Sequence, residues 1–449
     1  MGAGRREVDL EVQLDSAPFG RVALLVSLLT LLALVFDGFD IQAIAFAAPA
    51  LLSEWGMTRA ELGPVLAAGL VGMGIGALTL GTLGDRQGRR RALIACMLLI
   101  AVASLLSAYA GGPTELALWR LATGIGLGGA LPNATALVVE FTPARIRSLI
   151  VAVTVVGVPI GGMLGSAVAA EVVPRLGWRS IFLIGAALPG VLAAGMALLL
   201  PESPRFLVTR PARQAELSRL MNRVRPDGRF DGTEDWLAPR AAAEHALRPG
   251  VRALFTPAFR HDTIVIWLIF FTNVFSVYAF FNWNPTVLTG AGLPLATALR
   301  GALVFNLGGV VGSLVGAWVM TRLGSRPVLL SLGASAVLST FAIGQIPIGP
   351  DADLTLLFAL VFIAGACISG VQVQMYTVAA QAYPTQIRAT GVGWGLGVAR
   401  IGGVLSSFAG SVLLAMGSGV TPFFSGIAAV LTVTLTGLAM LRSHLRPGA

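Results

Sequence analysis

The stretch VALLVSLLTLLALVFDGFDIQAIAFAAPALL, residues 22–52, decides the fold. It is almost wholly apolar apart from two aspartates, Asp37 and Asp40. A run of about 20 apolar residues is long enough to cross the hydrocarbon core of a bilayer as a helix. Similar runs recur as far as Leu441, and only 12% of the 449 residues are charged, whereas a soluble domain has roughly twice that share. The sequence therefore predicts a polytopic membrane protein and excludes a soluble enzyme.

The apolar runs between polar breaks predict twelve membrane-spanning helices. Only helices and closed barrels span a bilayer, and these runs lack the alternating pattern of barrel strands. The expected fold class is an all-α membrane protein with two six-helix halves, 22–200 and 263–441, a linker at 201–262, and tails at 1–21 and 442–449. The predicted spans are 22–50, 62–83, 92–110, 115–139, 148–170, 178–200, 263–288, 297–320, 328–346, 354–379, 389–416 and 421–441.

Every basic residue is an arginine, and the distribution of the arginines predicts the orientation. If the N-terminus is placed in the cytoplasm, the cytoplasmic segments hold 25 arginines, 11 of them in 201–262, and the outer loops hold four. This bias follows the positive-inside rule, so we expect both termini in the cytoplasm. The net charge of +9 thus comes from arginines that fix the orientation of the chain and that can contact anionic lipid headgroups. No nucleic acid is expected as a partner.

Two pairs of short segments indicate that the halves are repeats. FTPARIRS (141–148) matches AYPTQIRA (382–389), and GDRQGRR (84–90) matches MTRLGSR (320–326). Parallel repeats of six helices are typical of a large class of transporters that hold the substrate near the midplane, between the halves.

Several motifs resemble those of one transporter family. GTLGDRQGRRRAL (81–93) is similar to the signature loop of the major facilitator superfamily, and PESPRFL (201–207) resembles a segment of its sugar and organic-ion branches. Three further segments resemble the aromatic acid:proton symporter family of bacterial inner membranes: DGFD (37–40), GLGGALPNATALVVEFTPARIR (126–147) and YPTQIRATGVGWGLGVARIGG (383–403). The resemblance covers the whole chain. It implies the major facilitator fold, a small aromatic acid and protons as partners, a bacterial inner-membrane location, no cofactor and function as a monomer.

The chain departs from this family at one position. Many relatives carry an acid in the second copy of the signature loop, where this chain has Thr321 in place of the counterpart of Asp85. A gating role of that second acid is therefore missing or compensated here.

Asp37 and Asp40 are the predicted proton-coupling residues. An aspartate at the centre of a spanning helix costs about 2.5–3.5 kcal/mol on insertion scales, so intramembrane acids are functional candidates. Residues three apart lie on nearly the same helix face. Two carboxylates that close do not both ionise readily in a low dielectric, so one of them can load and release a proton near neutral pH. The alternative is a static salt bridge to Arg120 or Arg400.

Arg400 and Arg120 are the two arginines within predicted helices. Arg400 lies near the midplane of helix 11 and is the best candidate to hold the carboxylate of a substrate, because a guanidinium matches a carboxylate in geometry. Arg120 lies nearer the outer end of helix 4, where it binds substrate, pairs with a helix-1 aspartate or lines the outer vestibule. A purely structural ion pair is the alternative for both.

Further polar and aromatic residues in the spans are candidate substrate contacts. Aromatic side chains offer stacking surfaces to a flat ring, whereas packing or an interfacial belt is the alternative for each of them. The candidates are Asn133 in helix 4, Tyr278, Asn282 and Trp283 in helix 7, Asn306 in helix 8, and Gln372, Gln374 and Tyr376 in helix 10.

The resemblance also implies a cytoplasmic gate. In this family pattern the Asp85 carboxylate meets the N-terminal end of helix 11, and arginines pair with Glu140, which latches the halves in the outward-open state. The gating residues implied are Asp85, Arg86, Arg89, Arg90, Glu140, Arg147 and Arg388.

Other classes of site are not expected. GIGLGG (124–129) fits the dinucleotide-binding pattern formally, but it lies within a predicted membrane helix, where glycines allow close helix packing. Cys96 and Cys367 lie in apolar runs and the three histidines in loops or a tail, so we expect no metal site and no disulfide. Segment 212–224 has helical spacing and is expected on the membrane surface. The rival functions are transport of another organic acid, such as a nicotinate-like one, export of amphipathic cations, and a non-transporting sensor.

Overall fold

The computed structural model describes residues 7–228, 230–232, 234–237, 250–349, 352–415 and 420–445. Twelve of its helices are long and apolar enough to cross a membrane. Each ends within a few residues of its predicted span. In chain order, α1 to α12 are Arg21–Glu54, Arg59–Gln87, Arg89–Ala108, Pro113–Phe141, Arg147–Leu176, Arg179–Leu199, Arg260–Gly290, Leu295–Leu323, Ser325–Gln345, Leu354–Ala382, Thr385–Ala415 and Thr421–Met440.

Equivalent glycines pack the helices of both halves in the same way. A Cβ at Gly72 or Gly76 of α2 would lie 2.2 or 2.0 Å from a backbone oxygen of α4, so the two backbones touch there. A Cβ at Gly308 or Gly312 of α8 would meet α10 at 2.2 and 2.0 Å. These positions are related by the offset of the sequence repeat, 236 residues. Gly124 and Gly128 of the 124–129 segment take part in the same contact, since a Cβ there would lie 2.1 Å from the Gly69 oxygen and 2.0 Å from the Met73 oxygen.

The matched loop motifs also adopt matching geometry. Gly88 ends α2 with φ +104°, and Gly324 ends α8 with φ +80°, conformations that an L side chain rarely adopts. Arg147 donates through Nε to the Thr142 oxygen at 3.2 Å, and Arg388 donates through Nε to the Tyr383 oxygen at 3.4 Å. The internal repeat is therefore visible in hydrogen bonds as well as in sequence.

The two ends of the bundle differ in how closely the halves approach. We call the end that carries the linker and both tails the linker face, and the other end the opposite face. On the side of the opposite face, a Cβ at Gly63 of α2 would lie 3.2 Å from the Phe408 ring of α11. Arg300 and Glu171 form an ion pair of 3.8 Å between α8 and α5. Nearer the midplane, Gln42 of α1 and Asn306 of α8 exchange two hydrogen bonds of 3.0 Å.

The N-terminal segment and the linker fold together against the first half. Strands β1 (Glu7–Asp9) and β2 (Asp235–Leu237) pair in parallel, so this membrane protein of helices also contains a short two-stranded ladder. Helix Gln214–Val224 buries its apolar side in one cluster with residues of both segments. The expectation that this helix lies on the membrane surface is wrong, because its apolar face is covered by protein. That cluster includes Val8, Leu10, Leu14, Leu217, Leu220, Met221, Val224, Phe230 and Trp236.

Candidate functional site

Asp40 and Arg120 form a fully buried ion pair between α1 and α4. Arg120 Nη2 donates to Asp40 Oδ2 at 2.9 Å and to the Asp40 backbone oxygen at 2.8 Å. Ser104 of α3 donates to Asp40 Oδ1 at 2.7 Å, so both carboxylate oxygens are bonded. A buried pair is stable only while both partners are present, because a lone charge would then be left in the interior. In this conformation Arg120 therefore pairs with a helix-1 aspartate, which is one of the alternatives for this residue.

Asp37 lies one helical turn from Asp40 toward the linker face and has a different environment. It is 2% exposed, and within the described residues its Oδ1 atom has no hydrogen-bond partner. Gly38 beside it packs on α5, since a Cβ there would lie 1.9 Å from the Val158 oxygen. A buried carboxylate with an unbonded oxygen is costly in its charged form. The two aspartates of the motif are therefore inequivalent, because Asp40 is ion-paired and Asp37 has an oxygen without a hydrogen-bond partner.

Arg400 faces Asp37 from the second half. It lies midway along α11, is partly buried, and is close enough to Asp37, Tyr278 and Tyr376 for its positive charge to act on these groups. The Tyr278 ring lies against α11 one turn further on, because a Cβ at Gly403 would be 3.0 Å from its Cδ2 atom. These four side chains come from α1, α7, α10 and α11. The structure thus brings together a carboxylate, a guanidinium and two aromatic hydroxyls near the middle of the bundle.

Aromatic rings surround this group. Tyr376 packs on Phe270 with a centroid distance of 5.6 Å, and Tyr278 meets Phe281 edge-on at 5.9 Å. Phe281 in turn meets Phe305 edge-on at 5.6 Å. Tyr376 is 40% exposed, so its ring is accessible and not sealed in the core. This wall suits a flat aromatic ligand, which would be held by offset or edge-on contacts.

Asn273 is a site residue that the sequence reasoning missed. It lies in the middle of α7 and donates to Gln372 Oε1 of α10 at 2.8 Å. Its position in the apolar run IFFTNVF was the available signal, because a polar residue at the centre of a span usually has a partner or a function.

Asn282 and Trp283 lie further toward the opposite face. Asn282 donates to Ser407 of α11 at 3.2 Å and lines a small cavity together with Arg120. Trp283 is fully buried against α11, where a Cβ at Gly410 would lie 2.1 Å from its ring. In this conformation Asn282 therefore borders the Asp40–Arg120 pair, whereas Trp283 is a packing residue. Its role as a substrate contact stays a prediction.

Asn133 and Gln374 also lie away from the central group. Asn133 donates to the oxygens of Leu80 at 3.0 Å and Gly129 at 2.8 Å, which ties α4 to α2. Gln374 is 1% exposed and donates to the Ser313 oxygen of α8 at 3.0 Å. Both amides are bonded to neighbouring helices in this conformation, and their contact with a ligand stays a prediction.

The predicted gating residues cluster at the linker face. Asp85 pairs with Arg89, which also donates to Asn133 Oδ1 at 3.3 Å. Glu140 accepts a hydrogen bond from Ser203 at the start of the linker, and Arg205 and Arg89 are near enough for their positive charges to act on it. An arginine is the expected partner of Glu140. In this conformation Ser203 is its direct hydrogen-bond partner instead.

The remaining residues of this cluster join the linker to the first half. The Arg90 amide donates to Glu202 at 3.0 Å, and Arg210 donates to the Arg86 backbone oxygen at 3.1 Å. Arg147 pairs with Asp15 of the N-terminal segment. Asp85 remains largely exposed at the face where the halves would meet.

These features define a class of protein. A bundle of two similar six-helix halves with a buried charged group between them is the architecture of a secondary transporter. The family model of the Major Facilitator Superfamily matches residues 30–407. The chain belongs to the Major Facilitator Superfamily and, within it, to the aromatic acid:proton symporter family. It is therefore a multi-pass transporter of the bacterial inner membrane and not an enzyme.

Curated relatives match along almost the whole chain. A gallate transporter of Pseudomonas putida is 35% identical over 441 residues, covering 97% of this chain and 96% of the relative. A 4-hydroxybenzoate transporter of Pseudomonas putida is 36% identical over 412 residues, covering 92% and 91%. Among solved structures, a D-xylose-proton symporter matches with a TM-score of 0.71 at 17% identity, covering 94% of this chain and 98% of that one. That structural likeness supports the fold alone.

Proposed function

We propose that this transporter imports a small, hydroxybenzoate-like aromatic carboxylate together with protons by alternating access. The observation that carries the proposal is a buried carboxylate with one unbonded oxygen, Asp37, that lies near enough to the midplane guanidinium of Arg400 to feel its charge. Relatives that carry gallate, 4-hydroxybenzoate and benzoate support the class of substrate.

Asp37 and Arg400 have different roles in this cycle because they have opposite charges. Asp37 takes a proton when the site faces outward, which removes a negative charge beside the entering anion. Arg400 then holds the substrate carboxylate through charge-assisted hydrogen bonds. The rings of Tyr278 and Tyr376 contact the substrate ring. Once the site faces the cytoplasm, loss of the proton restores the Asp37 charge, which competes with the substrate carboxylate for Arg400 and favours release.

The conformation described here suits the inward-facing state of this cycle. The halves touch on the side of the opposite face through Gly63 and Phe408 and through the Arg300–Glu171 pair. At the linker face Asp85 is largely exposed and bonded to Arg89. With the linker face in the cytoplasm, as the arginine distribution predicts, the site is closed to the outside.

A nicotinate-like acid is the second candidate substrate. A niacin transporter of Acinetobacter baylyi is 29% identical over 401 residues. Such a substrate keeps the carboxylate that Arg400 would hold. Export of an amphipathic cation is disfavoured, because a guanidinium beside the site would repel that substrate.

The decisive experiment is uptake by proteoliposomes of labelled 4-hydroxybenzoate under an imposed inward proton gradient. We expect accumulation in the wild type and its loss in Asp37→Asn and Arg400→Ala. The variant Arg175→Gln, which changes an exposed arginine of the opposite face, is the matched control and should accumulate normally. Uptake without any dependence on the gradient would overturn proton symport, and unchanged uptake in Arg400→Ala would overturn the assigned anion site.

A further inference from the structure

Two amide side chains meet in the middle of the second half. Asn273 of α7 donates through Nδ2 to Gln372 Oε1 at 2.8 Å and to the Ile368 backbone oxygen at 3.2 Å. The second bond determines the orientation of the Asn273 amide, because a backbone oxygen can only accept. The Gln372 amide is then oriented by the first bond, with its oxygen toward Asn273.

This arrangement leaves one acceptor and one donor side by side. Within the described residues, Asn273 Oδ1 and Gln372 Nε2 are both buried without a hydrogen-bond partner. Asn273 is 1% exposed, so solvent does not satisfy its oxygen. Buried polar groups in proteins are nearly always bonded, and an unbonded pair marks a place where a ligand group can bind.

The amide pair belongs to the same region as the proposed anion site. Gln372 lies one turn from Tyr376 on α10, and its amide is near enough to the Tyr376 hydroxyl to interact with it through one N–H. The NH2 group has a second hydrogen, which is left for a ligand. Tyr376 in turn lies within charge range of Arg400. A ring held by its carboxylate at Arg400 is therefore close to the amide pair. The neighbouring Gln374 points away, toward α8.

Asn273 Oδ1 is an acceptor and Gln372 Nε2 is a donor, so together they favour one kind of substituent on the substrate ring. A hydroxyl both donates and accepts, so it can accept from Gln372 Nε2 and donate to Asn273 Oδ1. A carboxylate only accepts and would oppose the Asn273 oxygen, and a ring C–H satisfies neither atom. We propose that Asn273 and Gln372 form a subsite that recognises a ring hydroxyl of the aromatic acid. This inference rests on the proposed function and makes hydroxylated benzoates the preferred substrates.

The test compares KM values for labelled benzoate, 3-hydroxybenzoate and 4-hydroxybenzoate in proteoliposomes of the full-length protein under an inward proton gradient. We expect the wild type to prefer at least one hydroxylated acid over benzoate by about tenfold or more, because a site built for a hydroxyl loses its bonds with the analogue that lacks one. Gln372→Met keeps the size of the side chain and removes the donor, and Asn273→Leu removes the acceptor. Each should abolish the preference, so that the KM values for the hydroxylated acids no longer lie below the KM value for benzoate.

Gln374→Met is the matched control, since it changes a glutamine of the same helix that faces α8. It should keep the preference, whatever its effect on the amount of folded protein. A wild type with no preference for hydroxylated acids would overturn the inference, and so would equal losses for all three acids in Gln372→Met. A wild type that transports none of the acids would instead overturn the proposed function, and the inference with it.

Discussion

Gln42 and Asn306 exchange two amide hydrogen bonds of 3.0 Å across the two halves. Both side chains are buried, and Asn306 donates its other hydrogen to the Ala302 oxygen at 2.9 Å. Gly162 of α5 leaves room for the pair, because a Cβ there would lie 2.1 Å from Gln42 Nε2. The pair thus holds α1 and α8 together beside the proposed site, on the side of the opposite face.

Replacing Gln42 by methionine should favour opening of the opposite face. The substitution leaves the Asn306 amide buried with fewer partners, which costs the closed state about 1–3 kcal/mol. Arg175 and Arg300 are exposed and both lie beside Glu171, one in each half. Spin labels attached to the variants Arg175→Cys and Arg300→Cys would report the distance between the halves. We expect a longer-distance population to grow in Gln42→Met.

The double variant Gln42→Met with Asn306→Leu is the control for this prediction. It removes both amides, so it should recover part of the closed population. An unchanged distance distribution in the single variant would show that the amide pair does not stabilise the closed opposite face.

Asp37→Asn and Asp40→Asn should have different consequences. Asp37 has an unbonded oxygen, so its amide variant should fold and still exchange substrate across the membrane without a gradient, but lose gradient-driven accumulation. Asp40→Asn leaves Arg120 buried without its counter-charge, which costs about 3–5 kcal/mol of stability. Thermal unfolding of the purified variants and exchange assays separate the two outcomes. Equal loss of stability in both would contradict the inequivalence of the aspartates.

The fold could be predicted from sequence because its determinants are local. Apolar length set the twelve spans, and the matched segments at 84–90 and 320–326 revealed the repeat. The N-terminal and linker segments were predicted less well. The apolar face of Gln214–Val224 has the same pattern whether it covers lipid or protein, and its partners Val8 and Leu10 lie about 200 residues away in sequence.

The site could be predicted only in part, because pairing is a tertiary property. The spacing of Asp37 and Asp40 predicts two equivalent acids, and their partners from other helices, Arg120 and Ser104 at Asp40, make them unequal. Polar residues such as Asn133 and Gln374 carry the same signal whether they face a ligand or bond a neighbouring helix. Asn273 carries that signal too, and nothing in the sequence distinguishes it from the polar residues nearer the end of its helix.

Gly410→Ala should destabilise the second half. Its Cβ would lie 2.1 Å from the buried Trp283 ring, and overpacking of this kind costs about 1–3 kcal/mol. Gly393→Ala is a control on the same helix, since a Cβ there meets nothing within 4 Å. It should be neutral or stabilising, because alanine favours a helix by about 1 kcal/mol over glycine. Thermal unfolding measured by tryptophan fluorescence would rank the two, and equal melting temperatures would contradict the close packing of α7 on α11.

The segment after α12 docks on the start of α9 through a histidine contact. Leu445 donates its amide to Ser325 Oγ at 2.8 Å, and Ser325 donates its amide to the Leu445 oxygen at 3.1 Å. His444 Nδ1 lies 3.1 Å from the same hydroxyl. Burial and then the charge of Arg326 lower the pKa of His444, while the Leu441 oxygen and Asp262 act in the opposite direction.

Docking of this segment should weaken as the pH falls below about 6.5, the ordinary pKa of histidine. Because the docked histidine has the lower pKa, the undocked state binds more protons in this range, and acid therefore favours undocking. Docking is fully stable above that pH. Hydrogen exchange at the Leu445 amide, corrected for intrinsic rates, should show protection that decreases from about pH 7.5 to about pH 5.5. His444→Gln keeps a neutral polar side chain and should make protection independent of pH over this range, whereas the same decrease in that variant would assign the effect to another group, such as Asp262.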